Sequence, residues 1–200
     1  MKVFIYDNGF NLSNYLIALN NIGVNYVLSK NTSLITTCNA LLLTGGGNII
    51  PYLYDKPVLR TCDYDAHTDV AELYLIKQFV MRKQPIIGIC KGMQAINVYF
   101  KGTLTNVENH FFSEKSARHY IINSSDSFLT KTFNRVIEVN SCHVEQLEKV
   151  AKCLKVEAVS EDGTVEAIKH KTLPIYGVQF HPERMGVYFS NKFFESLLKN

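Results

Sequence analysis

Short apolar runs in the first half of the chain, VFIY, ALLL and PIIGI, each meet glycine within a few residues, and segments with helical apolar spacing come after them. A run that is apolar at consecutive positions has no polar face to show to water, so such strands must be covered on both sides. Helices connecting parallel strands provide that cover, and the reading is therefore an α/β fold: a doubly wound, mostly parallel sheet flanked by helices. KVFIYDNGF, VNYVLS, NALLLTGGG and PIIGIC read as strands. SNYLIALNNIG, DVAELYLIKQFVMRK and KGMQAINVYF read as helices, with Asp69 and Glu72 suited to the first turn of the second, where carboxylates meet the positive dipole end.

The second half reads differently. Residues 102–134 look loop-rich and polar, after which RVIEVNS, LKVEAVS and TVEAIKH read as strands that form a small β extension. Asp162-Gly163 marks a hairpin, because both residues tolerate positive φ. IYGVQFHPE closes the sheet and VYFSNKFFESLLKN is an amphipathic terminal helix. No repeat or low-complexity linker divides residues 1–200, so one domain is expected.

Composition narrows the partners. A formal charge of +3 without a dense Lys/Arg block argues against nucleic acid, and no apolar run is long enough to span a membrane. Five cysteines, Cys38, Cys62, Cys90, Cys142 and Cys153, lack paired metal-knuckle spacing, and no secretory leader is visible, so free thiols in a reducing cytoplasm are expected. Cys142 reads as buried and inert.

Cys90 stands where PIIGI turns into a helix, within Gly88-Ile89-Cys90-Lys91-Gly92. This is the form of a nucleophile elbow, whose crowded backbone demands small flanking residues. Helix N–H groups, helped by the Lys91 charge, would favour the thiolate over a thiol of ordinary pKa about 8.5. A thiolate nucleophile needs a base, and His181 with Glu183 across Pro182 supplies one, both expected to project from an extended segment toward a similar side. LLLTGGGNI lacks the GxxxxGK[ST] pattern of a phosphate loop but can aim N–H groups at an oxyanion.

TGGG, GICKGMQ and GVQFHPE, in this order, resemble the class I glutamine amidotransferase superfamily, which has a flavodoxin-like core. LLLTGGGNIIPYLYD, the DVAEL helix, VNSCHVEQL and DGTVEAI are similar to its γ-glutamyl hydrolase branch, peptidase C26. The resemblance implies Cys90 as nucleophile, His181 as base and acid, and Glu183 as its orienting partner. Backbone N–H groups of Gly46, Gly47 and Lys91 would form the oxyanion hole, and Gln94, Ser141 and His143 would hold the glutamyl end. Neither metal nor cofactor is implied. Lys91 and Thr68 stand where many relatives carry Arg, which removes any guanidinium fork. The implied substrate is a small γ-glutamyl amide with an anionic nucleotide leaving group, near Lys91, Lys115, Arg118 and His119. A glutaminase subunit feeding a synthetase, or a noncatalytic γ-glutamyl sensor, are the alternatives.

Overall fold

The structure is a computed structural model, described here for residues 1–57, 64–107 and 118–199. Its strands are β1 (Lys2–Tyr6), β2 (Asn25–Ser29), β3 (Ala40–Leu43), β4 (Ile86–Ile89), β5 (Thr103–Asn106), β6 (Arg118–Asn123), β7 (Val136–Asn140), β8 (Glu145–Lys149), β9 (Leu154–Ser160), β10 (Val165–His170) and β11 (Ile175–Val178). The helices are α1 (Ser13–Asn21), α2 (Ala66–Met81), α3 (Lys91–Tyr99), α4 (Phe128–Thr132) and α5 (Val187–Leu198). Nine strands form one sheet in the order β2-β1-β3-β4-β11-β10-β9-β6-β7. The first five are parallel to their neighbours, as the apolar runs imply, and β11 onward the pairing is antiparallel.

Two cores follow from the pleat. Val3, Ile5, Leu42, Ile87 and Ile89 point to one face, where α1 and α5 bring Leu19, Phe193 and Phe194. Phe4, Leu41, Leu43 and Ile86 point to the other, where α2 and α3 bring Leu75, Phe79, Met93 and Ile96. Successive strand residues thus bury on opposite sides, which is why these strands show no polar alternation.

Two expectations need correction. The 102–134 stretch is not simply loop: β5, β6 and α4 lie within it. β6 hid because its outward residues Tyr120 and Ile122 are apolar and exposed, so the usual inside/outside alternation is missing. β8, EQLEK, was invisible for the opposite reason, with Leu147 the one apolar side chain it buries; among the described residues it pairs only with β5, in a separate two-stranded sheet. The second correction concerns α2. It begins a turn earlier than DVAEL suggested, capped by Asp65, whose side chain accepts from Thr68 N–H at 3.1 Å. Asp69 and Glu72 are not dipole decoration on its surface; both are buried, at 2% exposure. The hairpin at Asp162-Gly163 joins β9 and β10 as expected, with Gly163 at φ +87°.

Candidate active site

The sheet brings the two halves of the site together. Val178, the last residue of β11, pairs with Ile89, the last of β4, so the chain leaving β11 runs on beside the chain leaving β4. Cys90 N–H donates to Val178 O at 2.8 Å, and Cys90 O accepts from Met93 N–H at 3.0 Å as α3 begins. Pinned at both ends, Cys90 takes φ 54° and ψ −109°, a backbone conformation that costs an L-residue on the order of 1–3 kcal/mol. Gly88 and Gly92 give the clearance anticipated for them: a Cβ on Gly88 would lie 2.5 Å from Gly92 O, and one on Gly92 would lie 2.3 Å from Leu43 O.

His181 is buried and Cys90 retains 7% exposure, so the sulfur sits just below the surface. His181 Nδ1 lies 2.8 Å from Glu183 Oε1. The route to that contact differs from the expected extended one. His181 meets Pro182 at φ −108° and ψ 86°, and residues Pro182–Arg184 then close into a 3-10 turn that brings the Glu183 carboxylate to the ring nitrogen. Burial alone would lower the imidazole pKa; the Cys90 and Glu183 charges and hydrogen bonds outweigh it and push the value up to about 10. Its two neighbours thus favour the protonated form of the ring.

Two neighbours of this ring were given no role from the sequence, although Asn140 lies in the VNSCHVEQL segment. The Asn140 side chain clamps the His181 backbone from the end of β7, accepting from His181 N–H at 2.7 Å and donating to His181 O at 2.9 Å. Tyr15, from α1, accepts from Gly45 N–H at 2.9 Å and places its hydroxyl 3.4 Å from His181 Nδ1. Burial and the nearby Glu183 and Cys90 charges raise the Tyr15 pKa well above its ordinary value, so the hydroxyl stays protonated.

The glycine turn after β3 wedges between the imidazole and Lys91. A Cβ on Gly45 would come within 2.8 Å of His181 Cε1, and one on Gly46 within 3.0 Å of Lys91 Cδ. Asn8, from the loop after β1, steadies the turn by donating to Gly45 O at 3.0 Å and Thr44 Oγ1 at 3.1 Å. Beside Gly46 and Gly47 opens a cleft of about 260 Å³, bordered by Asn8, Phe10, Asp65 and Lys91.

The Lys91 side chain does not do what its sequence position suggested. Its ammonium is buried against Asp69 Oδ1 at 2.8 Å and Glu72 Oε2 at 2.6 Å. Burial alone would lower its pKa, but the two carboxylates raise it. Its charge is thus balanced by α2, leaving neither the thiol nor a diphosphate as its partner. Arg118 pairs with Glu138 across the exposed β6–β7 edge at 3.3 Å. His119 Nε2 lies 3.2 Å from the buried Glu166 carboxylate, which also faces His143 Nε2 at 3.7 Å. Burial would raise the Glu166 pKa, but the two histidines bring it below the usual value. Lys115 lies outside the described residues.

The residues expected at the glutamyl end are buried together. Gln94 Nε2 donates to Glu145 O at 3.0 Å and to Gln179 Oε1 at 3.3 Å, and His143 Nδ1 is 3.0 Å from Glu145 O. Ser141 is buried beside them in sequence. Cys142 is a correction: it is exposed rather than buried, and its carbonyl oxygen lies 4.0 Å from Cys90 Sγ.

Glu145 itself is buried, and burial pushes its carboxyl pKa up to about 7 despite help from Ile49 N–H and the Tyr54 hydroxyl. The folded protein therefore holds this proton more tightly than the unfolded chain. That contribution to stability is fully present below the ordinary pKa and lost as pH rises through about 7. Between pH 5 and pH 8, wild type should lose on the order of 2 kcal/mol more unfolding free energy than Glu145→Gln, read from urea titrations. Parallel slopes for the two proteins would contradict it.

Comparison with known proteins now decides the family. A family model described as Peptidase C26 matches residues 23–183. The chain belongs to the peptidase C26 family, within the class I glutamine amidotransferase-like proteins. Among relatives of this C26 member, protein NtpR of Enterococcus hirae is 32% identical over 157 residues, 72% of this chain and 66% of that one. The γ-glutamyl-CDP-amidate hydrolase of Campylobacter jejuni is 30% identical over 145 residues, 72% of this chain and 62% of that one. The C26 chain thus spans about two thirds of the length of these relatives. The crystal structure of a glutamine amidotransferase from Thermotoga maritima matches it with a TM-score of 0.70 at 14% identity, over 98% of this chain and 81% of that one, a likeness of fold. No helix among the described residues is long and apolar enough to cross a membrane.

Proposed function

We propose that this protein is a cysteine hydrolase that cleaves γ-glutamyl amides through a thioester. The observation that carries the reading is Cys90 held in a strained turn at the head of α3 and hydrogen-bonded to the His181 imidazole, whose Nδ1 rests on Glu183 at 2.8 Å. Glu183 occupies Nδ1, which leaves Nε2 for the sulfur.

Each atom then has a destination. The Cys90 thiolate adds to the γ-carbonyl carbon, and the oxygen takes negative charge facing N–H groups of Gly46, Gly47 and Lys91. As the carbon–nitrogen bond breaks, His181 passes its proton to the leaving nitrogen. The now neutral imidazole takes a proton from water as that water attacks the thioester. Collapse releases glutamate and restores the thiolate–imidazolium pair. Gln94, Ser141 and His143 would hold the glutamyl α-carbon groups, and Glu183 orients and stabilises the imidazolium.

For the leaving group, γ-glutamyl-CDP-amidate is the reading we favour, supported by the Campylobacter relative. Its hydrolysis would give glutamate and cytidine diphosphoramidate. Lys91 no longer argues for this choice, because its charge is spent on Asp69 and Glu72. The test is a panel of glutamine, γ-glutamyl-GABA, a γ-glutamyl peptide and γ-glutamyl-CDP-amidate, assayed for glutamate release. The nucleotide amidate should exceed the others in kcat/KM by at least about 100-fold, some 3 kcal/mol of differential transition-state binding. Equal rates across the panel would overturn the leaving group but keep the reaction. Turnover of glutamine that rises only with an added synthetase would favour the glutaminase-subunit reading, and no turnover of any member would sink the hydrolase.

A further inference from the structure

An oxyanion hole assembled from two separate pieces of chain works only if the pieces are held in register, since a misplacement of about 1 Å costs roughly 100-fold in rate. Here one piece is the Gly46-Gly47 turn after β3, and the other is the backbone of Lys91 at the head of α3. The pairing of β3 with β4 sets their spacing only as far as Leu43 and Gly88, and both pieces lie a few residues beyond that last pair, so their final register needs a further contact.

The buried carboxylate of Asp69 reaches a group attached to each, Ile50 N–H downstream of the turn and the Lys91 side chain. Its Oδ2 accepts from Ile50 N–H at 2.9 Å, on the chain that descends from the glycine turn. Its Oδ1 lies 2.8 Å from the Lys91 ammonium. The Lys91 stem in turn underlies the turn itself, for a Cβ on Gly46 would meet Lys91 Cδ at 3.0 Å. The circuit is closed: α2 grips the descending loop with one oxygen and the head of α3 with the other. Glu145 secures the preceding residue in the same loop through Ile49 N–H. Glu72, by contrast, neutralises Lys91 at 2.6 Å without any described contact to the glycine loop.

Energetics point the same way. Burying one cation against two carboxylates brings little or no net stability over well-packed apolar residues, because desolvation consumes most of the attraction. What such a cluster does provide is placement: the ammonium donates to Glu72 at 2.6 Å and lies 2.8 Å from Asp69 as an ion pair, and a buried charge has no other partner to move to.

We infer that Asp69 is a positioning residue for the oxyanion hole, coupling the Gly46-Gly47 turn to the Lys91 backbone by bridging Ile50 N–H and the Lys91 ammonium. The inference rests on the γ-glutamyl hydrolase reading above. Asp69 also borders the cleft beside the glycine turn, but at 2% exposure its oxygens face Ile50 and Lys91, so it acts through those groups.

The test compares Asp69→Asn with Glu72→Gln in the intact chain. Asparagine retains an acceptor for Ile50 but not the charge for Lys91. For Asp69→Asn, kcat on the best substrate of the panel should fall about 10- to 100-fold with KM changed by less than about threefold. Alkylation of Cys90 by iodoacetamide should stay within about twofold of wild type, because halide displacement develops no oxyanion in the hole. Backbone amide exchange at Gly46, Gly47 and Ile50 should accelerate at least about tenfold. Glu72→Gln, which spares the bridge, should cost less than about threefold in kcat. An unchanged kcat for Asp69→Asn, an equal loss in Glu72→Gln, or alkylation falling in step with kcat would overturn the bridge. If wild type releases glutamate from nothing in the panel, the hydrolase reading fails. Exchange still judges the coupling in that case: unchanged rates at the three amides overturn it, and accelerated rates sustain it. Should Asp69→Asn not fold, Asp69→Glu serves instead, keeping the charge but shifting its reach, with the same split between kcat and alkylation expected.

Discussion

Cys90→Ala should lower glutamate release by at least about 10⁴-fold while leaving the protein folded. The sulfur contributes little to the core that alanine cannot replace, but in the proposed mechanism it forms the bond that holds the acyl group during turnover. The companion variant, Cys90→Gly, separates chemistry from strain. Cys90 sits at φ 54° and ψ −109°, a conformation that glycine adopts with little cost. Gly should therefore be as inactive as Ala yet more stable by about 1 kcal/mol in urea unfolding. Activity is read as glutamate release, and covalent capture as a mass shift with an electrophilic γ-glutamyl analogue. An alanine variant retaining a tenth of wild-type turnover would remove Cys90 from the reaction. Equal stability of the Ala and Gly variants would mean that the turn is less strained than its angles imply.

Gly92→Ala is the largest structural effect expected. The added methyl would lie 2.3 Å from Leu43 O and 2.7 Å from Leu43 Cβ, on a central strand that has no room to withdraw. Relief requires α3 to move off β3, which would cost about 3 kcal/mol or more and carry the head of α3 away from the glycine turn. Gly163→Ala provides the contrast. Its φ is +87°, so alanine is strained there, but nothing lies within 4 Å of the new carbon, and the hairpin is at the surface. About 1 kcal/mol is expected. Thermal and urea unfolding of the two variants, with circular dichroism as the probe, would check the ranking. A Gly92→Ala protein that melts with wild type would show that the elbow is looser than its contacts indicate.

These two predictions draw on residues that the sequence already singled out, and the reason is physical. An elbow is a local object: a strand end, a helix start and small residues on either side of the nucleophile must be adjacent in the chain for the turn to close. The same holds for the hairpin at Asp162-Gly163, and for the parallel strands whose neighbours on both faces are apolar. Segments whose environment is not local were misread. β8 is polar in composition and acquires its strand geometry from β5 across the fold. β6 exposes Tyr120 and Ile122, so its pattern lacks the polar face that marks a half-buried strand. Residues near the site show the same division. Lys91 reads as a free cation beside the nucleophile until α2 packs against it with Asp69 and Glu72.

The order of short strands and helices, the position of the turn that carries Cys90, and the presence of an imidazole and a carboxylate around Pro182 were determined by the sequence alone, because backbone sterics and hydrophobic periodicity act between near neighbours. Only the tertiary structure decided where charges cancel, which amide clamps His181, and how the glycine turn meets the head of α3. Those outcomes depend on pairs such as Asn140 with His181, or Tyr15 with Gly45, that are distant in the chain. Electrostatic and hydrogen-bond energies depend on the distance between groups in space, which the chain acquires only when the sheet registers β4 beside β11.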